Sequence, residues 1–180
     1  MKKAFLVMTV LFLSFSAVNA QDWTKYKAED LAFTAIFPQE PKRTVQKVNT
    51  AVGELDMHMI MHAPTSGDDN AVYSVIRSDY PEEQFADADD DYNANVLDGA
   101  VEGAVKNVKG KLVFDNKVKF NGYPGRSIKI KMEGGYIYIN AYLVENSMFI
   151  TQVICLEAKD KNTSIQRFLN SFELIKTKQD

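Results

Sequence analysis

The strongest constraint on the fold is a run of four segments, late in the chain, in which apolar and polar residues alternate. These segments cover 111–120, 126–133, 136–144 and 148–156. Short turn sequences separate them: Asn121-Gly122, Gly134-Gly135 and 145–147. A period of two is typical of strands that bury one face, and a Gly-Gly pair is typical of a two-residue hairpin loop. The sequence therefore predicts an antiparallel meander of four strands.

Two other segments have the spacing of an amphipathic helix. The first carries an apolar stripe over more than three turns: Val96, Leu97, Ala100, Val101, Ala104, Val105 and Val108. Acidic residues precede this stripe and Gly110 follows it, so we predict a helix over about 89–109. We expect Gly99 and Gly103, four residues apart, to let another element approach closely. A second stripe, which begins at a capping box over 163–166, predicts a C-terminal helix: Ile165, Phe168, Leu169 and Phe172.

The first part of the chain contains shorter strand signals. We expect 31–37 and 44–48 to form an N-terminal β-hairpin, because prolines interrupt the chain between them. The fold class predicted is α+β: a single domain over 31–175 with an antiparallel meander sheet flanked by helices. A polar lead-in at 21–30 precedes this domain and a tail at 176–180 follows it.

The first twenty residues resemble a secretory signal peptide. Lys2 and Lys3 precede an apolar run over 4–13, and small or polar residues lead to Ala20. The alternative is a transmembrane anchor, but the apolar run is shorter than the roughly 20 residues that a span needs. We predict cleavage after Ala20, no transmembrane segment in the mature chain, and a secreted protein, either periplasmic or extracellular.

The charge and the cysteine content argue against several classes of binding partner and of structural site. Removal of 1–20 takes away Lys2 and Lys3, and leaves 19 basic and 24 acidic residues with a net charge of −5. That balance argues against nucleic acid or anionic lipid as the main partner, because both need a basic face. The single Cys155 cannot form an internal disulfide framework or a Cys-based zinc site. It lies in an apolar strand, where we expect a buried, inert thiol.

Several short sequences resemble the PsbP-like superfamily and its short bacterial secreted relatives of unknown function. They read F-T-A-I-F-P-Q-E-P over 33–41, N-T-A-V-G over 49–53, G-Y-P-G-R over 122–126 and R-F-L-N-S-F-E-L over 167–174. The resemblance implies an antiparallel sheet flanked by helices, with an N-terminal hairpin and a terminal helix that ends near a Ser-Phe pair. It also implies a non-enzymatic role: the plant protein is an extrinsic, lumenal subunit that helps a membrane complex retain its metal and anion cofactors, and a eukaryotic relative binds a small GTPase. Neither role transfers residue by residue to this sequence.

A Met/His run at 57–62, M-H-M-I-M-H, is the first candidate metal site. Thioether and imidazole groups in a secreted protein suggest copper. On a strand, however, the two residue types face opposite sides, and His58 and His62 lie roughly 13 Å apart. Met57, Met59 and Met61 share the face of Leu55 and Ala63, so we expect them to fill the core and keep Cu(I) binding as the alternative.

An acidic segment is the second candidate. Asp87, Asp89 and Asp91 occupy positions one, three and five of a calcium-type loop. Tyr92 stands where that loop needs Gly, and Asp98 stands where Glu is the rule. We therefore expect a solvated segment that begins a helix, and keep a loose calcium or manganese site on these carboxylates as the alternative.

A tyrosine face on the strand 136–144 is the candidate interaction surface. Tyr136, Tyr138 and Tyr142 share it, and Tyr is enriched at protein interfaces. We expect instead that a helix covers this face and that the hydroxyls reach its polar groups or water, and keep the interaction surface as the alternative. Arg126, after the Gly-Tyr-Pro-Gly turn, is the candidate contact for an anion, although a structural ion pair is the more common role of such a residue.

The sequence offers no established catalytic signature. It has no nucleophile elbow, zinc-protease motif, phosphate-binding loop or dinucleotide fingerprint, and its two His lie on one strand face without a nucleophile beside them. We expect no enzyme, no cofactor and no firmly assigned metal. The function predicted is a secreted or periplasmic binding or accessory module that docks on a larger envelope assembly through an unknown protein partner. The alternative is a periplasmic protein that binds a small ligand or a metal (calcium, manganese or copper).

Overall fold

The computed structural model describes residues 23–50 and 53–175 of the 180-residue chain. The predicted signal peptide, the cleavage site after Ala20 and the tail at 176–180 lie outside the described residues. The strands are β1 (Thr24–Ala28), β2 (Phe33–Phe37), β3 (Lys42–Thr50), β4 (Gly53–His62), β5 (Asn70–Asp79), β6 (Lys111–Phe120), β7 (Tyr123–Met132), β8 (Gly135–Val144), β9 (Ser147–Leu156) and β10 (Glu173–Leu174). The α-helices are α1 (Asp90–Asn107) and α2 (Thr163–Leu169).

Seven strands form one antiparallel sheet in the order β3-β4-β5-β9-β8-β7-β6. The predicted meander over 111–156 is confirmed, since β6, β7, β8 and β9 are consecutive neighbours joined by tight turns. Pairing of β5 with β9 then adds the β3-β4-β5 meander to it. Consequently β3 and β6 are the outer strands of this sheet.

Helix α1 packs on one face of the meander. Its buried residues Leu97 and Val101 contact a cluster that includes Ile130 and Ile137. The helix predicted over 89–109 is confirmed, and it begins where the Asp89 carboxylate accepts a hydrogen bond from the Tyr92 amide at 2.8 Å. None of the helices in the described part of the chain is long and apolar enough to span a membrane.

Glycines near α1 differ in what they do. A Cβ at Gly110 would lie 2.4 Å from Ile130 Cγ2 and 2.8 Å from the Lys131 carbonyl oxygen, so only glycine fits where the chain enters β6. The expectation that Gly99 and Gly103 allow another element to approach is wrong. Apart from the helix itself, nothing lies within 4 Å of a Cβ built on either residue.

The opposite face of the large sheet packs on α2 and on a small sheet of order β1-β2-β10. The phenylalanines of this layer are nearly fully buried: Phe33, Phe37, Phe149, Phe168 and Phe172. The C-terminal helix is confirmed, but its cap lies one residue earlier than predicted. Asn162 accepts a hydrogen bond from the Ile165 amide at 3.3 Å, and the helix begins at Thr163.

The N-terminal hairpin is confirmed, but with a different partner strand. β2 pairs with β1, so the hairpin covers 24–37, and the polar residues predicted as a lead-in at 21–30 include a strand. The pairing of 31–37 with 44–48 is wrong, because β3 pairs with β4 in the other sheet. Most side chains of β1 are polar and face solvent. Because the segment therefore has little apolar alternation, the sequence did not mark it as a strand.

The two faces of β4 are largely the reverse of the prediction, although Leu55, on the methionine face, is buried as expected. Ile60 is fully buried and His62 is only 9% exposed, whereas Met57, Met59 and Met61 are half-buried on the other face. Ala63, predicted on the core face, is exposed. The small sheet and α2 cover the Ile60 side, while α1 packs on β7 and β8 and not on the methionines.

Candidate functional site

The tyrosine face of β8 holds a buried ion pair. Lys129 on β7 is 5% exposed, and its Nζ donates to both carboxylate oxygens of Asp160 at 2.8 Å. The same ammonium lies 4.0 Å from the centre of the Tyr136 ring and 4.9 Å from that of Tyr138. The Tyr138 hydroxyl also donates to Asp160, at 2.5 Å. These contacts bind the 3-10 turn and loop after β9 to the middle of the sheet.

The pair shifts the pKa of both partners. Burial alone would raise the pKa of Asp160, but the hydrogen bonds from Lys129 and Tyr138 outweigh it and hold that pKa below its ordinary value. Burial alone would lower the pKa of Lys129, but the hydrogen bonds with Asp160 and Tyr138 raise it. Both groups are therefore held in their charged forms, which suits a structural contact.

The predicted interaction surface on β8 is wrong for two of its three tyrosines. Tyr138 and Tyr142 are each 7% exposed, and only Tyr136 is partly exposed. The Tyr142 ring stacks on Phe120, with ring centres 4.6 Å apart, and on Phe172 at 5.9 Å. The expected cover of this face describes Tyr138 better, although its hydroxyl donates to Asp160 in the loop before α2 and not to the helix itself.

Arg126 forms a structural ion pair. Its Nε donates to Asp115 at 2.7 Å, and its two terminal nitrogens donate to Asp98 and Asp115. The side chain is 13% exposed, with carboxylates on both sides, so it is not open to an incoming anion. Because Asp98 lies on α1 and Asp115 on β6, the guanidinium joins the helix to the sheet. The structural ion pair, the more common role of such a residue, is therefore what the structure shows, and the candidate anion contact is wrong.

The acidic segment begins α1. Asp89 is its N-cap, and Asp90 and Asp91 lie in its first turn, where carboxylates interact favourably with the helix dipole. Within residues 23–50 and 53–175, no three His, Cys, Asp or Glu side chains converge in a way that could hold a metal ion. The structure thus gives Asp89 a capping role and leaves Asp87 and Asp91 exposed.

The histidines face the core side of β4, away from the methionines. The His62 ring stacks on Tyr73 with ring centres 6.4 Å apart, and its Nε2 has no hydrogen-bond partner among the residues that the structure describes. Burial lowers the pKa of His62, and the nearby Asp68 carboxylate only partly offsets this. The Tyr73 hydroxyl donates to Asp68 at 2.7 Å. A neutral His62 is therefore built into the layer between the sheets.

The free edge strand β6 is the surface that sequence reasoning missed. Leu112, Val113 and Phe114 are 42%, 52% and 37% exposed, although they are consecutive apolar residues. The register with β7 shifts between Leu112 and Phe114, which marks a β-bulge. Three apolar residues in a row, within a strand that otherwise alternates, are the sequence signal that would have revealed the bulge.

Next to this strand is a hollow of about 370 Å³. Leu97 of α1 contributes to its lining, and Lys117 and Lys119 of β6 provide two ammonium groups at its rim. Gly125, at the start of β7, lies there too. The hollow, the lysines and the apolar triplet form one continuous edge of the molecule.

The comparisons with known proteins bear on the fold. No protein-family model matches the chain, and no curated protein matches it. Among solved structures, it is similar to the solution structure of cyanobacterial PsbP (CyanoP) from Synechocystis sp. PCC 6803, with a TM-score of 0.58 and 12% sequence identity. The match covers 89% of this chain and 97% of CyanoP. The chain has a PsbP-like fold.

Two of the sequences that carry the PsbP-like resemblance, G-Y-P-G-R and R-F-L-N-S-F-E-L, have structural roles, whereas N-T-A-V-G lies partly outside the described residues. A Cβ at Gly125 would lie 2.5 Å from the Ala141 carbonyl oxygen, so the last glycine of G-Y-P-G lets β7 and β8 approach. Ser171 accepts a hydrogen bond from the Ile36 amide at 2.9 Å and donates to the Phe168 carbonyl at 2.7 Å. The Ser-Phe pair after α2 thus joins the helix to β2, and these motifs specify the fold rather than a chemistry.

Proposed function

We propose that this chain is a non-enzymatic accessory module, secreted to the periplasm or outside the cell, that docks on a larger envelope assembly. The observation that carries the proposal is an apolar row across the open part of the large sheet. Met59, Ile76 and Ile150 are register neighbours on β4, β5 and β9, and all three are half-buried. The row continues to Ala141 on β8, in the cluster under α1.

Such a row fits protein docking. Contiguous apolar surface that remains accessible to water is typical of interaction sites. Met57 and Met61 flank Met59 on the same face, and flexible thioether side chains adapt to the shape of a partner. The PsbP-like fold supports the same role, because the resemblance implies a small folded module that docks on a larger assembly.

The non-enzymatic part of the proposal rests on how the charged groups are used. Lys129 and Asp160 are held in a buried pair, and Arg126 is bonded to two carboxylates. Groups fixed in this way contribute to stability and are not free to exchange protons with a substrate. The secreted location rests on the predicted signal peptide and its cleavage after Ala20.

The experiment is purification of the full chain, with a C-terminal tag, from the envelope of its native host, followed by mass spectrometry. The proposal expects an N-terminus at Gln21 and a partner protein recovered at near-equal amount. Met59→Lys should reduce that recovery at least tenfold, while Val45→Lys, on the edge strand β3 and 51% exposed, should leave it unchanged. Recovery of the chain alone, or equal losses in both variants, contradicts the proposal.

A second candidate function, binding of Cu(I), is supported by the same half-buried methionines. Thioether sulfur is a ligand that Cu(I) prefers, and neighbouring positions on one strand face are about 7 Å apart, within reach of two flexible Met side chains. Met59 is the central residue of the three. Competition with a chromophoric Cu(I) chelator should show one-to-one binding that Met59→Leu weakens and Met132→Leu, on β7, does not.

A further inference from the structure

The outer edge of β6 combines exposed apolar residues with unpaired backbone. β6 is the last strand of the seven-stranded order, so no described strand pairs with its outer side. Its ten residues span roughly 33 Å, a long edge for a native sheet. Native proteins usually protect such edges with charge or cover, because unpaired N–H and C=O groups accept another strand. The bulge and the lysines of β6 give part of this protection, but the apolar triplet at Leu112, Val113 and Phe114 stays exposed.

Unpaired positive charge surrounds the same edge. Five exposed lysines at the end of α1 and on β6 have no carboxylate within 4 Å among the described residues: Lys106, Lys109, Lys111, Lys117 and Lys119. On the other outer strand, Arg43 bonds to Asp30, and Lys47 bonds to Glu54 and Asp56. A local basic edge on a chain whose net charge is −3 is complementary to an acidic partner.

We propose that the free edge of β6 adds an extended, acidic segment of a partner protein as an eighth strand. This inference rests on the proposed function, adds the β6 edge to the apolar row at Met59 as a second docking surface, and names the class of partner. Main-chain hydrogen bonds to β6 would supply affinity, and side chains on alternate positions would supply specificity. A membrane surface offers the same charge and apolar character, but it has no backbone groups to pair in register with a strand. The free strand edge therefore favours a protein segment.

The side chains along the β6 edge also predict the sequence pattern of the partner segment. Lys117 and Lys119 are two residues apart and therefore face the same side of β6, at the hollow of about 370 Å³. Two carboxylates spaced two apart on the added strand would meet them. Apolar residues several positions away would cover Leu112 and Phe114. The segment thus carries an acidic Glu/Asp-x-Glu/Asp stretch followed or preceded by an apolar one.

Site-specific photo-crosslinking in the native host tests this inference on the full chain. A photoreactive amino acid replaces Val113, which is 52% exposed on β6, or Val45, which is 51% exposed on β3 and serves as the matched control. We expect an adduct at position 113 whose cross-linked peptide is an acidic segment of another protein. We expect at least tenfold less adduct at position 45.

Charge reversal then separates strand addition from other contacts. The double variant Lys117→Glu and Lys119→Glu should reduce the adduct at position 113 roughly tenfold, because two exposed attractions become repulsions. Lys42→Glu on β3 should not. Adducts to lipid, to a second copy of this chain or to a non-acidic segment, no adduct at 113, or insensitivity to the double variant would each overturn the inference. If the chain still copurifies with a stoichiometric partner in those cases, the docking function stands and only its assignment to β6 fails.

Discussion

Replacement of Asp160 by Asn removes one charge from the buried pair with Lys129 and leaves the side-chain size unchanged. The Lys129 side chain is 6% exposed and has two oxygen contacts at 2.8 Å, so Asp160→Asn leaves an ammonium group buried without a carboxylate. Breaking a buried pair in this way costs about 3–5 kcal/mol. The Asp160 side chain keeps 22% exposure, so water reaches the site. We therefore expect a loss somewhat below this range, about 2–3 kcal/mol of unfolding free energy.

Replacement of Lys129, the other partner of the pair, should lower the unfolding free energy by less. Lys129→Met leaves the Asp160 carboxylate partly hydrated and places an apolar chain of similar length between the rings of Tyr136 and Tyr138. We expect a loss of about 1 kcal/mol, and a double variant no less stable than Asp160→Asn alone. The coupling between the two positions should then be at least about 1 kcal/mol in a double-mutant cycle.

Urea unfolding, followed by the fluorescence of the single Trp23, measures these differences. With a slope of about 2 kcal/mol per molar, Asp160→Asn should lower the midpoint by about 1 M. Glu157→Gln is the matched control, because it breaks the exposed Lys131–Glu157 pair and should change stability by less than about 0.5 kcal/mol. Since the pKa of Asp160 is lowered, the pair stabilises the wild type above pH 3.8, the ordinary value, and this stabilisation is lost as the pH falls further. The reasoning is refuted if Lys129→Met costs more than Asp160→Asn, or if Asp160→Asn behaves like the control.

Two further predictions concern glycine and histidine. Gly125→Ala should destabilise the chain by about 2 kcal/mol or more, because its Cβ would lie 2.5 Å from the Ala141 carbonyl oxygen, whereas Gly99→Ala, in open space on α1, should stabilise it by up to about 1 kcal/mol. Thermal unfolding measures both effects. An unchanged melting temperature in Gly125→Ala would show that β7 and β8 do not lie as close together at this position as the contact requires. Because burial lowers the pKa of His62, the unfolded chain takes up a proton first, so the wild type should lose stability as the pH falls from about 6.5 towards 5. His62→Phe keeps the ring against Tyr73 but cannot titrate, and melting temperatures at pH 7.5 and 5 should differ less in this variant; equal losses would remove His62 as the cause.

Periodicity predicted most elements of the fold but not which face each strand buries. On β4 both faces carry apolar residues, so the alternation of Met57, Met59 and Met61 with Ile60 fits burial of either side. The choice depends on where α1 and the small sheet pack, which is a long-range property. The same limit applies to Tyr138: cover of its strand face by a helix was expected, but the partner of its hydroxyl, Asp160 in the loop before α2, could not be identified.

Strand pairing was the other limit. β1 carries polar residues on its solvent face, so only Tyr26 and Ala28 mark the side that packs on the core, and the segment 31–37 was assigned the wrong partner. The status of β6 as an outer strand follows from the order of all seven strands, and no local pattern contains that order. Surfaces at sheet edges are therefore harder to predict from sequence than the strands that form them.

The most direct test of the proposed docking function is the native size of the full chain in a gentle extract of its host's envelope. Size-exclusion chromatography with quantitative detection should place most of the chain in a species larger than the monomer. Met59→Lys should shift it to the monomer position, while Val45→Lys should not. A wild-type chain that elutes entirely as a monomer at its native abundance would contradict the proposed role.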